Sequence, residues 1–327
     1  MRTKLLQNSH EFHTTNFKLV HTIGECKRKG SSEYLLNDPM GLKISKLMNW
    51  LLICDSGNKR VQIYDRFNFE YLYSIRMKTQ PQYVEIEEWH DQCGYYADEN
   101  SLLLYITCSN QVLIKMKVTV VMEENEKKLH VEELWNTREL LERNELSAEY
   151  GLFFERFNQE YLNSVLYVCD STKRRIVMLN ALDGSILNQL FLKRKEKFSS
   201  AVSILIDSKK KWILVSEMAG QRVKILDYKT RQLLHSLGKY GKELDEFSYP
   251  RGIFLEEKMN RLYVCDASNN RISLIDLDKL EFVEYFGGKN SNMEQVQLKT
   301  PTSVVIDDST GTLLVSDNKL DQVFIFR

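Results

Sequence analysis

The sequence predicts an all-β fold, a six-bladed β-propeller closed by an N-terminal strand that completes the last blade. Three observations predict it. A stretch of 15 residues recurs in six copies, one of them shortened, and a short strand-like segment precedes each copy. The last copy ends one strand short of a full unit, and the missing strand is found near the start of the chain.

The clearest copy is LYVCDASNNRISLID, Leu262 to Asp276. Leu262 and Val264, then Ile272 and Leu274, follow the period of a strand, and ASNN between them is turn chemistry. Its relatives are LLICDSGNKRVQIYD (Leu51 to Asp65), LYVCDSTKRRIVMLN (Leu166 to Asn180), ILVSEMAGQRVKILD (Ile213 to Asp227) and LLVSDNKLDQVFIFR (Leu313 to Arg327). A worn copy, LYITCSNQVLIKM, runs from Leu104 to Met116. The loop acids stand at 55, 170, 217, 266 and 317, with Cys108 in the second place, so the spacings are 53, 62, 47, 49 and 51. Entry segments such as Pro39-Met40-Gly41-Leu42 and Pro250-Arg251-Gly252-Ile253 precede the copies, and outer segments such as Arg231 to Leu237 follow them. Four strands per unit at this period describe a propeller blade, which cannot bury its two faces alone.

In chain order, residues 1–16 are an N-terminal tail and residues 17–327 a single propeller. The blades span about 39–76, 81–135, 150–192, 201–237, 250–286 and 301–327, the last completed by 18–23. The closing strand is read from FKLVHTIG (Phe17 to Gly24), which matches RQLLHSLG (Arg231 to Gly238), the outer strand of blade four. Closure removes two open sheet edges. Blade two departs from the period through an insertion, WHDQCGYYADEN (Trp89 to Asn100), and a long hairpin around EENEKK. The hairpin reads as a solvated outer extension, and the insertion as a place for a protein-specific contact. Asn136 to Leu146 then predicts a short helix capped by Asn136, with Glu139 at capping-box spacing and Leu140 and Leu141 tucked under the next blade.

Composition narrows the class. A chain of 327 residues with 43% hydrophobic and 28% charged residues can bury a sizeable core. Its 45 basic and 45 acidic residues cancel, so it lacks the global field of most nucleic-acid binders. The N-terminal residues lack a signal-peptide run and no apolar stretch exceeds strand length, which predicts neither secretion nor a membrane span. Cys54, Cys169 and Cys265 occupy one repeat position within apolar strands, and no CxxC pair occurs. Buried packing thiols in a reducing cytoplasm are expected, with no disulfide framework or zinc site.

The combination P-x-G-I, then LYVCDASNNRISLID, then FGG resembles the NHL repeat. Blades one and five are nearest to it; Glu217 in blade four and Asp321 and Gln322 in blade six depart from it. The resemblance implies the propeller portion of tripartite-motif NHL proteins, without their RING, B-box and coiled coil, for which the sequence has no cysteine–histidine pattern. Fold families of this kind do not specify function.

The resemblance also implies that the loops between second and third strands share one face with the inner-strand entries. That face would gather Lys59, Arg60, Lys173, Arg174, Arg175, Arg222, Asn270 and Arg271, with Tyr83, Tyr150, Tyr249 and Arg251 beside them. Tyrosine and arginine anchor protein interfaces, and the same pair suits single-stranded RNA, with phosphates on the charge and bases on the rings. Arg60, Arg175, Arg222 and Arg271 recur beside a recurrent acid, a pattern that predicts a blade-to-blade structural pair. The non-recurrent Lys59, Lys173, Arg174 and Arg251 therefore carry the functional expectation. None of the six histidines recurs at the inner-strand entries, and no nucleophile motif or phosphate loop occurs. Loop acids ringing an axial calcium would be the route to a lyase or hydrolase of NHL-like type.

Three functions follow in order: a non-enzymatic scaffold binding a protein partner through its loop face, an RNA-binding propeller, and an axial-metal enzyme. No cofactor, no membrane and a monomer are expected.

Overall fold

A computed structural model describes residues 17–26, 28–88, 100–147, 151–155, 164–193, 195–288 and 296–327. The tail, most of the blade-two insertion (89–99) and Tyr150 lie outside the described residues.

Strand β1 (Leu19–Ile23) comes first, and the chain then lays down the blades in turn. Blade one is β2 (Pro39–Ser45), β3 (Trp50–Asp55), β4 (Arg60–Asp65) and β5 (Tyr71–Arg76). Blade two is β6 (Pro81–Glu87), β7 (Ser101–Cys108), β8 (Leu113–Glu123) and β9 (Glu126–Asn136). Blade three is β10 (Leu152–Glu155), β11 (Val165–Asp170), β12 (Arg175–Asn180) and β13 (Ile186–Leu190). Blade four is β14 (Ala201–Asp207), β15 (Trp212–Glu217), β16 (Arg222–Asp227) and β17 (Leu233–Leu237). Blade five is β18 (Pro250–Glu256), β19 (Arg261–Asp266), β20 (Arg271–Asp276) and β21 (Glu281–Phe286), and blade six adds β22 (Pro301–Asp307), β23 (Thr312–Asp317) and β24 (Gln322–Phe326). Each blade is a four-stranded antiparallel sheet, and in the sixth the order is β1-β24-β23-β22. The fold is a six-bladed β-propeller, and β1 closes it.

The closing strand pairs Leu19 with Phe326, His21 with Ile325 and Ile23 with Val323. Reciprocal bonds between Lys18 and Arg327, at 2.8 and 3.0 Å, extend the ladder past the chain's last strand.

Burial explains why the repeat alternates without a polar face. Leu51 and Ile53 pack with Leu314 and Ile325 in the seam between blades six and one. Leu52 and Cys54, one step out of phase, pack with Leu104 and Ile106 in the seam between blades one and two. Each middle strand is thus apolar on both sides, as a strand covered on both faces must be. Six apolar clusters, one per seam, form the core. The inner strands approach closely at Gly41 and Gly252, where a Cβ would stand 2.9 Å from the Gln82 carbonyl oxygen and 2.6 Å from that of Thr302. Ser203 and Ser303 hold the same position in blades four and six, and their hydroxyls accept the Ile253 and Leu42 N–H groups at 3.3 and 3.2 Å.

The predicted helix is shorter than expected. It spans Arg138–Glu142, with Thr137 as its N-cap, because Asn136 is held as the last residue of β9. Asn136 still accepts the Arg138 N–H at 3.0 Å. Leu141 packs on the seam of blades one and two, Leu140 on that of blades two and three.

Candidate functional site

Antiparallel alternation sends the β3–β4 type of loop and the blade-to-blade linkers to one end of the disc, here the loop face. Blade five shows what holds it. Asp266 is fully buried and accepts from the Ser248 N–H (2.6 Å), Asn269 Nδ2 (2.8 Å) and Arg271 Nε (2.7 Å). The remaining Arg271 nitrogens donate to the carbonyls of Lys242 (2.9 Å), Glu243 (2.7 Å) and Glu246 (2.8 Å), all in the linker from blade four. Blade one repeats this with Asp55 and Arg60 (2.6 Å), whose guanidinium reaches the carbonyls of Ser31, Ser32 and Leu35 at 2.7, 2.7 and 2.9 Å. Asp170 pairs with Arg175 at 2.8 Å, and Glu217 with Arg222 at 2.6 Å.

The recurrent arginines are therefore joinery, with one correction. Acid and arginine are cross-strand partners within a single blade, as Asp55 and Arg60 are, and the blade-to-blade element is the linker they clasp. Blade six does without the arginine: Asp317 accepts the N–H groups of Lys299 (2.6 Å), Thr300 (3.1 Å), Lys319 (3.2 Å) and Leu320 (3.1 Å). Burial pushes the carboxyls of Asp55, Asp266 and Asp317 above their usual range, against the bonds that stabilise their charge. With their oxygens committed in this way, these acids do not form the ligand ring that an axial calcium would need.

Two further site residues, Lys173 and Tyr83, change role. Lys173 takes the place of Asn58 and Asn269, and its ammonium donates to the Asn144 carbonyl as those amides donate to the Gly30 and Gly241 carbonyls. It is a joint residue and not a free cation, since a long side chain can make the bond an amide makes elsewhere. Tyr83 is buried at 9% exposure, because it holds the inner-strand position of Ser203 and Ser303, where neighbouring inner strands approach closely. Lys59, Arg174, Gln221, Asn270 and Asp321 share one left-handed position, with φ from 53° to 61°, that turns each loop. In blades four and six that residue also caps the next blade: Gln221 accepts the Tyr249 N–H at 2.6 Å and Asp321 the Asp38 N–H at 2.9 Å. In blades one and three, Lys59 and Arg174 present exposed cations there. Arg251 stands at an inner-strand entry, with a buried Nε that has no partner.

Once the joints are subtracted, the linkers remain. Tyr34, Phe191, Tyr240, Leu244 and Tyr249 all lie in them and are exposed, Tyr240 to 71% and Tyr34 to 68%. Charge among them is mixed: Arg28 pairs with Glu25 (2.8 Å) and Lys239 with Glu246 (3.5 Å). Of these, Tyr249 is expected on this face from the sequence, whereas Tyr34, Phe191 and Tyr240 lie outside the repeated stretch; their signal is large aromatic residues inside short polar loops.

A second pattern is legible only by comparing copies. At the far end of the inner strand, Glu87, Glu155 and Glu256 accept the hydroxyls of Tyr105 (2.5 Å), Tyr167 (2.7 Å) and Tyr263 (3.1 Å). Blades with Ser45, Asp207 or Asp307 there carry Leu52, Leu214 or Leu314 instead of tyrosine. The shorter aspartates cap their own turns, as Asp207 does for Lys209 and Lys210 at 2.9 Å. On that opposite end, Lys209 donates to the Glu257 carbonyl (2.7 Å), Lys258 to that of Asp308 (3.4 Å), and Lys46 pairs with Asp308, so turns are laced blade to blade.

The described cysteines are free thiols, and all but Cys26 are buried. Burial raises the thiols of Cys54, Cys108, Cys169 and Cys265, so they pack instead of reacting. Among the described residues no helix is long and apolar enough to cross a membrane.

No protein-family model matches the sequence, and no curated protein matches it. Solved structures do. One is a protein of unknown function from Bacteroides thetaiotaomicron VPI-5482, with a TM-score of 0.61 and 11% identity over 94% of this chain and 74% of that one. At that identity the likeness is one of fold.

Proposed function

We propose that the chain is a non-enzymatic scaffold of the NHL-repeat type, a rigid monomeric propeller that recognises a protein partner through its loop face. The observation that carries this reading is the set of exposed linker aromatics, Tyr240 and Tyr249 foremost, set among charges of both signs. Exposed tyrosine within a mixed polar surround is the composition of protein interfaces. Rigidity supports the role, because the joints fix the loop backbones before a partner arrives and so lower the entropy lost on binding. The NHL assignment rests on the Asp–Asn–Arg loops of blades one and five. Buried free thiols suit a reducing cytoplasm.

RNA recognition would need a row of unpaired cations along the groove, and it is the competing outcome of the test. The test is affinity capture from native lysate, with and without nuclease, using the wild type and a Tyr240→Asp/Tyr249→Asp double variant. Protein partners that survive nuclease and are lost in the double variant are expected. Capture that disappears with nuclease would transfer the function to RNA.

A further inference from the structure

The loop-face joints of blades one and five are near copies, and their differences fall together. Where the blade-one linker has Ser31, blade five has Lys242; each carbonyl accepts from the joint arginine. Where the outer strand of blade one has Ser74, blade five has Tyr285, whose ring lies 4.4 Å from the Arg271 guanidinium. Where blades one, four and six have Met77, Lys239 and Glu25, blade five has Gly288. A Cβ at Gly288 would meet its nearest atoms at 3.6 to 3.9 Å, ordinary contact, so neither close approach nor backbone requires glycine there. What the glycine does is leave out a side chain.

These three exceptions line one cavity of about 310 Å³, completed by Ser268, Asn269, Asn270 and Arg271. Its walls are set in advance. The Lys242 N–H donates to Glu246 Oε2 at 2.9 Å and its carbonyl accepts from Arg271, so the lysine rises from an anchored backbone. Asn270 holds a left-handed turn at φ 61°. Arg271 is neutralised by Asp266 at 2.7 Å, whereas the Lys242 ammonium has no acid partner among the described residues. The cavity therefore offers one uncompensated positive charge beside the neutral donors of Asn270, Ser268 and Tyr285.

We propose that this cavity takes a carboxylate of the protein partner, from an acidic side chain. One cation with neutral donors balances one negative charge, and the volume is at the small end for ligand sites, sized for a single residue. A strand of phosphates would call for several cations in a row, which this cavity does not supply. The inference rests on the protein-scaffold reading and names the chemistry its partner brings.

The test measures fluorescence anisotropy of labelled, C-terminally amidated tetraglutamate and tetraglutamine peptides, and of labelled oligouridylate, with the full chain. Lys242→Met removes the charge and Gly288→Gln refills the cavity, each with thermal unfolding as a check on folding. Binding of tetraglutamate and not tetraglutamine is expected, weakened roughly tenfold by either variant while the melting midpoint holds, as loss of one charge-assisted bond implies. Absent binding, equal binding of tetraglutamine, or variants that bind like wild type would overturn the site. If the Tyr240/Tyr249 variant still abolishes protein capture in that case, the scaffold reading survives and the cavity alone falls. Oligouridylate bound through Lys242 in preference to tetraglutamate would overturn both.

Discussion

At the scale of the residue, the loop acid and its arginine are the units on which the ring is assembled. Removing Arg271 leaves Asp266 buried with a charge and three linker carbonyls without donors. Arg271→Ala is therefore expected to destabilise by about 3–5 kcal/mol, whereas Arg174→Ala, at an exposed turn, stays within about 0.5 kcal/mol, both read from urea unfolding. Equal effects would contradict the division between joint and free surface. Asp317 provides a test by pH, since no arginine accompanies it. Burial raises its carboxyl above 3.8, so the native protein holds that proton more tightly than the unfolded chain does. Its contribution is then complete below the unfolded value and is lost as pH rises through the raised native one. Wild type should lose stability relative to Asp317→Asn across that window, measured by urea midpoints on either side of it; a constant difference would show that the shift is absent.

At the scale of the element, β1 decides whether the ring is closed. It contributes about six backbone bonds, each worth roughly 1 kcal/mol net, and it seats Ile23, beside Leu36 of the following linker, in the seam of blades six and one. A chain beginning at Asn37 exposes β24 as an edge and opens that seam. It is expected to lose cooperative thermal unfolding or to aggregate, and a melt like that of the full chain would show that closure contributes nothing. Other elements were less legible. The short helix begins at Arg138 because the hairpin strand β9 extends to Asn136 and takes the residue that its sequence pattern offered as the cap. A local signal lost there to a ladder pairing further back in the chain.

At the scale of the whole molecule, stability is distributed over six seams, and function is left to what the repeat does not use. Lys173 shows why site prediction from copies is only partly successful. It differs from Asn58 and Asn269 in kind and matches them in task, since all three donate to a linker carbonyl. Tyr83 and Tyr249 show the converse, expected together on the loop face and opposite in the structure, one buried in an inner strand and one exposed in a linker. By itself the sequence determined the number of blades, their strand order, the closing strand and the structural use of the repeated arginines. Each of those follows from local period and from comparison between copies. Only the tertiary structure decided which exceptions face solvent. The clasp of each linker onto its blade, the close approach of inner strands at Gly41 and Tyr83, and the meeting of Lys242, Tyr285 and Gly288 around one cavity join residues far apart in the chain. No single copy of the repeat records those distances.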